Sequence, residues 1–183
     1  MPLGTLRREI LVGRLVLRRY SEAMTDDLFE AGRESIEQMY PWMPWCHADL
    51  GRGECASWIA GLAGQWRDGT GYEFAIFDDE RYLGGCGINQ IRERDGVANL
   101  GYWVRSSAAG KGVASSAVQA LAAFGFRDLG LARIEIFMSV ENQRSRRVAE
   151  KCGARFEGVM RSRILLYERR HDTRLYSLLP EDS

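Results

Sequence analysis

At 183 residues the chain is the size of one domain, and its 45 % hydrophobic and 27 % charged residues form an ordinary globular mix. That composition excludes disordered, collagen-like and membrane-embedded classes. Twenty-five basic residues balance twenty-five acidic ones, so no general field draws the protein to nucleic acid or anionic lipid, and any anion must be held locally.

One domain over residues 1–183 is therefore expected. Gly13–Tyr20 has apolar Leu15 and Leu17 between polar neighbours and predicts a first strand, with Ser21 placed to cap a helix through Asp27–Ala31. Gln38–Trp45 breaks helical structure twice, at Pro41 and Pro44, and gathers Tyr40, Trp42 and Trp45 in a loop. From Cys55 to Trp66, Trp58, Leu62 and Trp66 recur every four residues beside Ile59 and Ala63, which predicts a helix with that apolar face, stopped by Asp68–Gly71. Tyr72–Phe77, Tyr82–Ile91 and Ala98–Val104, joined by hairpin-length connections, read as an antiparallel meander. Gly84, Gly85 and Gly87 within it predict a bulge or a close backbone approach.

Beyond Val104 a glycine-bearing loop leads into a helix over Val113–Phe126, ended by Gly130. A strand over Arg133–Met138, a helix over Gln143–Cys152 and final strands from Arg155 follow. An antiparallel half followed by strand–helix–strand–helix–strand makes the class α+β. The four cysteines lack C-x-x-C or zinc-like spacing, and no metal is expected. No leader-like apolar region follows the N-terminal charges and no apolar run approaches a membrane span, so a cytoplasmic protein without membrane or direct nucleic-acid contact is expected.

The loop Val104–Ala114 carries Gly110 and Gly112, which let backbone approach a ligand. A helix opening there aims free N–H groups and a positive dipole end at one spot, which suits a pyrophosphate, and Lys111 adds a charge. A simple chain turn explains Gly-Lys-Gly equally well. A Walker A loop and a dinucleotide fingerprint both fit worse, because the glycines and the Ser/Thr stand at the wrong places. In the next helix Ser145 shares a face with Val148, Ala149 and Cys152, an inward hydroxyl that needs a partner, while Asn142 sits where an N-cap belongs.

Together, the strand, glycine loop, helix, strand and N-x-x-S-x-x-V-A run ending at Gly153 resemble the acetyl-CoA core of the GNAT superfamily. Leu100–Val104, Asn142–Ser145, Phe156–Gly158, Tyr40-Pro-Trp and His171-Asp172 look like its RimJ/RimL-type N-acetyltransferases. The resemblance implies a mixed sheet with an antiparallel N-terminal meander, flanking helices and a splayed parallel pair formed by Ala98–Val104 and Arg133–Met138. It implies acetyl-CoA as co-substrate, with pantetheine on the backbone of Tyr102, Trp103 and Val104 and against Asn142. The pyrophosphate would lie on the amides of Ala109, Gly110, Lys111, Gly112, Val113 and Ala114. Ala109 and Ala149 replace the usual Gln or Arg and the frequent tyrosine acid, which leaves Ser145 as the donor to the departing thiolate. Asn99 and Ile164 stand where relatives often carry carboxylates.

Acetyl transfer needs a neutral amine, a polarised carbonyl and a proton for the thiolate. At pH 7 an α-amine of pKa ~8 is neutral roughly one time in ten, and a lysine lags it by ~3 kcal/mol. Without an obvious base, the α-amine of a protein N-terminus, of the ribosomal-protein type, is the favoured acceptor, unless Glu73, Glu157 or His171 acts through water. Tyr40, Trp42 and Trp45 are candidates for the acceptor wall, or for a cap on the core. Two other readings stay open: transfer to a small amine such as a polyamine, amino acid or antibiotic, and a CoA-binding module without turnover. The sequence leaves the oligomeric state open, a homodimer included.

Overall fold

The structure, a computed structural model, describes residues 6–182. Strand β1 (Glu9–Val12) turns at Gly13, whose φ of 59° suits glycine, into β2 (Leu15–Arg19), which buries Leu15 and Leu17. β1 corrects the expectation of a single strand from Gly13: four residues are too short for an alternation to stand out, and Leu11 at 76 % exposure breaks it further.

Ser21 does not cap α1 (Thr25–Met39). A 3₁₀ turn over Glu22–Met24 intervenes, and the Thr25 hydroxyl donates to the Glu22 carbonyl at 2.7 Å. α1 runs on to Met39, two residues short of Pro41. α2 (Arg52–Asp68) opens with the Glu54 carboxylate accepting the Gly51 N–H at 3.1 Å, and closes at Gly69, left-handed at φ 70°. Its buried face is Cys55, Ile59, Leu62 and Trp66. Trp58, expected on that face, is 42 % exposed.

β3 (Tyr72–Asp78), β4 (Arg81–Arg92) and β5 (Val97–Val104) form the expected meander. After α3 (Val113–Arg127), β6 (Arg133–Ser139) returns parallel to β5. The two strands pair only from Val97↔Arg133 to Asn99↔Glu135 and then separate, which is the expected splay. α4 (Gln143–Lys151), β7 (Arg155–Leu166) and β8 (Arg169–Leu178) complete the chain. β8 pairs with β6, so the eight strands order β1-β2-β3-β4-β5-β6-β8-β7 in one mixed α+β sheet.

Burial is split by the sheet. Leu100, Leu121, Ile134 and Ile136 pack on the side of α3 and α4, whereas Leu28, Ile59, Leu62 and Tyr82 pack beneath α1 and α2. All four cysteines are free and buried. Among the described residues no helix is long and apolar enough to cross a membrane.

Candidate active site

Beyond Asn99 the backbone groups of β5 that face β6 have lost their strand partner, while the opposite edge stays paired with β4 through Gly84↔Val104. Unpaired peptide groups lining a gap invite an extended ligand to bond in their place. Tyr102, Trp103 and Val104 line a cavity of about 540 Å³ there, together with Gly110, Gly112, Val113, Ala114 and Asn142.

The loop into α3 is fastened from below. Arg105 forms an ion pair with Glu34 of α1, its Nε donating at 2.8 Å. The Ser107 N–H donates to the same carboxylate at 2.7 Å, and the Ser106 N–H to the Ser35 hydroxyl at 3.0 Å. Burial alone would raise the Glu34 pKa, but the Arg105 guanidinium and the Ser107 bonds hold it down to about 2. Gly110 and Gly112 adopt φ values of 77° and 83°, and the first-turn amides of α3, with no intrahelical acceptor, open toward the cavity. Two expectations shift. The Ala109 N–H is used inside the turn, donating to the Ser106 carbonyl at 3.2 Å, so the cradle starts at Gly110. The Lys111 ammonium bonds the Ser107 carbonyl at 2.9 Å and does not line the cavity. Positive charge comes instead from Arg144, Arg147 and Lys151 of α4, and among the described residues no carboxylate lines this cavity.

Asn142 caps α4, its Oδ1 accepting the Ser145 N–H at 3.0 Å, and it faces the cavity. The Ser145 hydroxyl lies 2.9 Å from the Tyr102 hydroxyl, which also donates to the Ser145 carbonyl at 3.0 Å. The inward serine thus has a phenol partner across the splay. Burial raises the Tyr102 pKa, partly offset by the Ser145 bond, so the pair is neutral and able to pass a proton. Tyr102 thus brings its side chain to the site as well as the backbone expected of it.

A second cavity of about 410 Å³ opens on the α1/α2 side and meets the first at Met43, Tyr102 and Trp103. Its walls are Trp45, Trp58 and Trp103, with the Trp45 and Trp103 ring centroids 5.3 Å apart and edge to face. The three aromatic residues singled out in the loop are therefore divided. Trp45 lines this pocket, Trp42 lines the cofactor-sized cavity, and Tyr40 lines neither, stacking on Tyr167 at 4.5 Å. Trp58 and Trp103 were missed as wall residues.

The floor of the pocket holds Glu73. A Cβ on Gly87 would collide with its carboxylate, and one on Gly85 would crowd the Tyr20 hydroxyl and the Trp103 indole, so the glycines of β4 serve close approach. Burial pushes Glu73 up to about 7, although Asn89 donates to it at 3.3 Å. Asn99 in turn donates to Asn89 at 2.8 Å. The other two base candidates lie elsewhere. Glu157 is bound to Arg133 and the Ser177 hydroxyl at 3.1 and 2.6 Å, and His171 stands opposite Ile164 in the β7–β8 ladder. Among the described residues the pocket thus carries the carboxylates of Glu54 and Glu73 and no cationic side chain, the reverse of its neighbour.

A family model described as an acetyltransferase (GNAT) domain matches residues 14–155. The chain is 33 % identical over 117 residues to the uncharacterized N-acetyltransferase p20 of Bacillus licheniformis, covering 63 % of this chain and 66 % of that protein. It is 32 % identical over 104 residues to the ribosomal-protein-serine acetyltransferase of Escherichia coli (strain K12), covering 57 % and 58 %. The chain thus matches less than two thirds of the length of these curated relatives. The solved structure of Mycobacterium smegmatis RimJ in complex with CoA-disulfide superposes with a TM-score of 0.85 at 25 % identity, covering 95 % of this chain and 87 % of that one.

Proposed function

The chain belongs to the GNAT acetyltransferase domain family, and from that premise we propose that it transfers an acetyl group from acetyl-CoA to the α-amine of a protein N-terminus. The observation that carries this reading is the sorting of charge by the sheet: three cations and no anion around one cavity, two carboxylates and no cation around the other. A polyphosphate ligand suits the first and an ammonium the second. The residues present fit the cofactor, because left-handed glycines and first-turn amides form a phosphate cradle beside an open strand edge. The relative from Escherichia coli, a ribosomal-protein-serine acetyltransferase by name, supports a protein acceptor.

Acetyl-CoA bound there would supply the electrophilic thioester. Backbone N–H groups along Tyr102–Val104 would orient and polarise its carbonyl, the gap between β5 and β6 would thread the pantetheine, and Asn142 would offer its Nδ2 from the other wall. The Ser145 hydroxyl, backed by the Tyr102 phenol, would give the leaving sulfur its proton. The aromatic wall would hold the acceptor chain against Gly101.

The test is an acceptor panel followed by release of free thiol, with calorimetric titration of acetyl-CoA alongside. Micromolar acetyl-CoA binding and turnover on lysine-free peptides with a free N-terminal serine are expected. Turnover on polyamines or amino acids but not on peptides would overturn the acceptor assignment, and absence of cofactor binding would overturn the whole reading.

A further inference from the structure

From the geometry of one cross-strand row we infer that Glu73 is the general base of the transfer, with Asn89 and Asn99 as its positioning residues; this rests on the function proposed above. The register sets Glu73 of β3 opposite Gly87 of β4, and Gly87 opposite Gly101 of β5. Directly paired residues project from the same face of a sheet, so one carboxylate faces two positions without side chains. It lies over Gly87, in the space a Cβ would need. Adjacent strands are ~4.8 Å apart, which leaves ~5 Å between the carboxylate and Gly101. That gap suits one nitrogen hydrogen-bonded on both sides, or one bridging water.

Gly101 lies beyond Asn99, the last β5 residue paired with β6, and directly precedes Tyr102 and Trp103, where the two cavities meet. The corridor of glycines therefore runs from the carboxylate to the place where the thioester is expected. Asn89 and Asn99 form the next row on the same face, and their hydrogen bonds pass in sequence toward Glu73. Any residue with a Cβ at 87 would close the corridor.

The acceptor ammonium gives one proton to the Glu73 carboxylate, and its lone pair forms the N–C bond as the C–S bond breaks. The second proton lost by nitrogen replenishes the hydroxyl pair of Ser145 and Tyr102, which protonates the sulfur, and Glu73 returns its proton to solvent. An α-ammonium of pKa ~8 passes its proton to such a base far more readily than a lysine of ~10.4, so the base and the proposed acceptor match.

Other titratable groups face this carboxylate. Tyr20 ahead of α1 and Cys86 of β4, both within its electrostatic reach, are raised by burial and stay neutral at pH 7. Cys55 and Glu54 approach from α2, the latter committed to Gly51 and His47.

Full-length wild type, Glu73→Gln and Glu73→Asp are compared with acetyl-CoA and a lysine-free peptide bearing a free N-terminal serine. Glu73→Gln is expected to lower kcat/KM about 100-fold at pH 7 and to move the rise with pH upward, from the neutral range to the acceptor's own ionisation at pKa ~8, with acetyl-CoA affinity unchanged by calorimetry. Glu73→Asp should keep the rise in the neutral range at a lower rate, because its carboxylate is withdrawn by one methylene. An acceptor amine already neutral at the assay pH should lose much less activity in Glu73→Gln, which a merely structural role does not predict. In the free wild-type protein, carbon-13 titration of Glu73 should move downward when the peptide is added. A Glu73→Gln variant within twofold of wild type with its pH profile intact would overturn the inference, as would a titration the peptide leaves unmoved. Wild type that binds acetyl-CoA but acetylates no amine would defeat the proposed function instead, and the peptide-dependent titration would still decide the role of Glu73.

Discussion

Glu34→Gln isolates the tie between α1 and the loop that precedes α3. In the wild type the Glu34 carboxylate, 29 % exposed, receives Arg105 and the Ser107 N–H. Against the burial that would raise it, these partners move its pKa from 4.5 to about 2. At 1.36 kcal/mol per unit that is ~3.4 kcal/mol, and screening of a partly exposed pair reduces it to ~2 kcal/mol. For a domain of this length such a loss lowers Tm by about 4–8 °C. The sign follows from the proton count. The folded value lies below the unfolded one, so the contribution is complete above pH 4.5 and fades as pH falls toward 2. Urea unfolding of both proteins from pH 8 to pH 3 should show a gap that is constant down to about pH 5 and then narrows. Acetyl-CoA affinity should fall about three- to tenfold at pH 7, because the cradle loses its anchor. A gap unchanged at pH 3, or below about 0.5 kcal/mol at pH 7, would refute this account.

Further outcomes are expected. Ser145→Ala should lower turnover about tenfold to a hundredfold with acetyl-CoA affinity within twofold, measured by thiol release and calorimetry, and Tyr102→Phe should do the same more weakly. Gly112→Val forces a branched residue to φ 83°, a strain of ~1–2 kcal/mol, and should weaken acetyl-CoA by about tenfold or more. Combined Arg147→Ala and Lys151→Ala should weaken CoA and flatten the dependence of its affinity on salt. Glu73, raised by burial from 4.5 to about 7, holds its proton longer in the folded chain, so stability falls as pH rises across that window and then levels. Glu73→Gln should accordingly unfold at higher temperature than wild type at pH 8, by scanning calorimetry.

Long periodic elements were readable in the residue pattern, and short or composite ones were not. Val113–Arg127 and the three strands of the meander stood within two residues of their observed limits, because each buries a face whose period is visible in the chain. β1 escaped notice because four residues carry too little alternation. Trp58 misled because a tryptophan at helical spacing reads as core, whereas here it edges onto Tyr20 at the mouth of a pocket. Gly110 and Gly112 were legible as positions that bare the backbone. The charges beside them were not: Lys111 lies next to those glycines in sequence yet bonds Ser107, while Lys151, forty residues on, faces the cavity. Glu73 left a usable signal, one carboxylate inside Tyr-Glu-Phe-Ala-Ile-Phe. Its link to Gly87 and Gly101 depends on strand register, which no local pattern displays.

A continuous sheet that keeps its anion-seeking groups on one side and its carboxylates on the other behaves as a bulkhead. Side chains on α2 and in the loop before it can be exchanged to admit a different nucleophile while the proposed phosphate grip, built on backbone and α4, is left as it stands. In the proposed reaction donor use and recipient choice are thereby separable inheritances, and a library confined to Trp45, Trp58 and Leu50 is expected to shift acceptor preference with acetyl-CoA affinity unchanged.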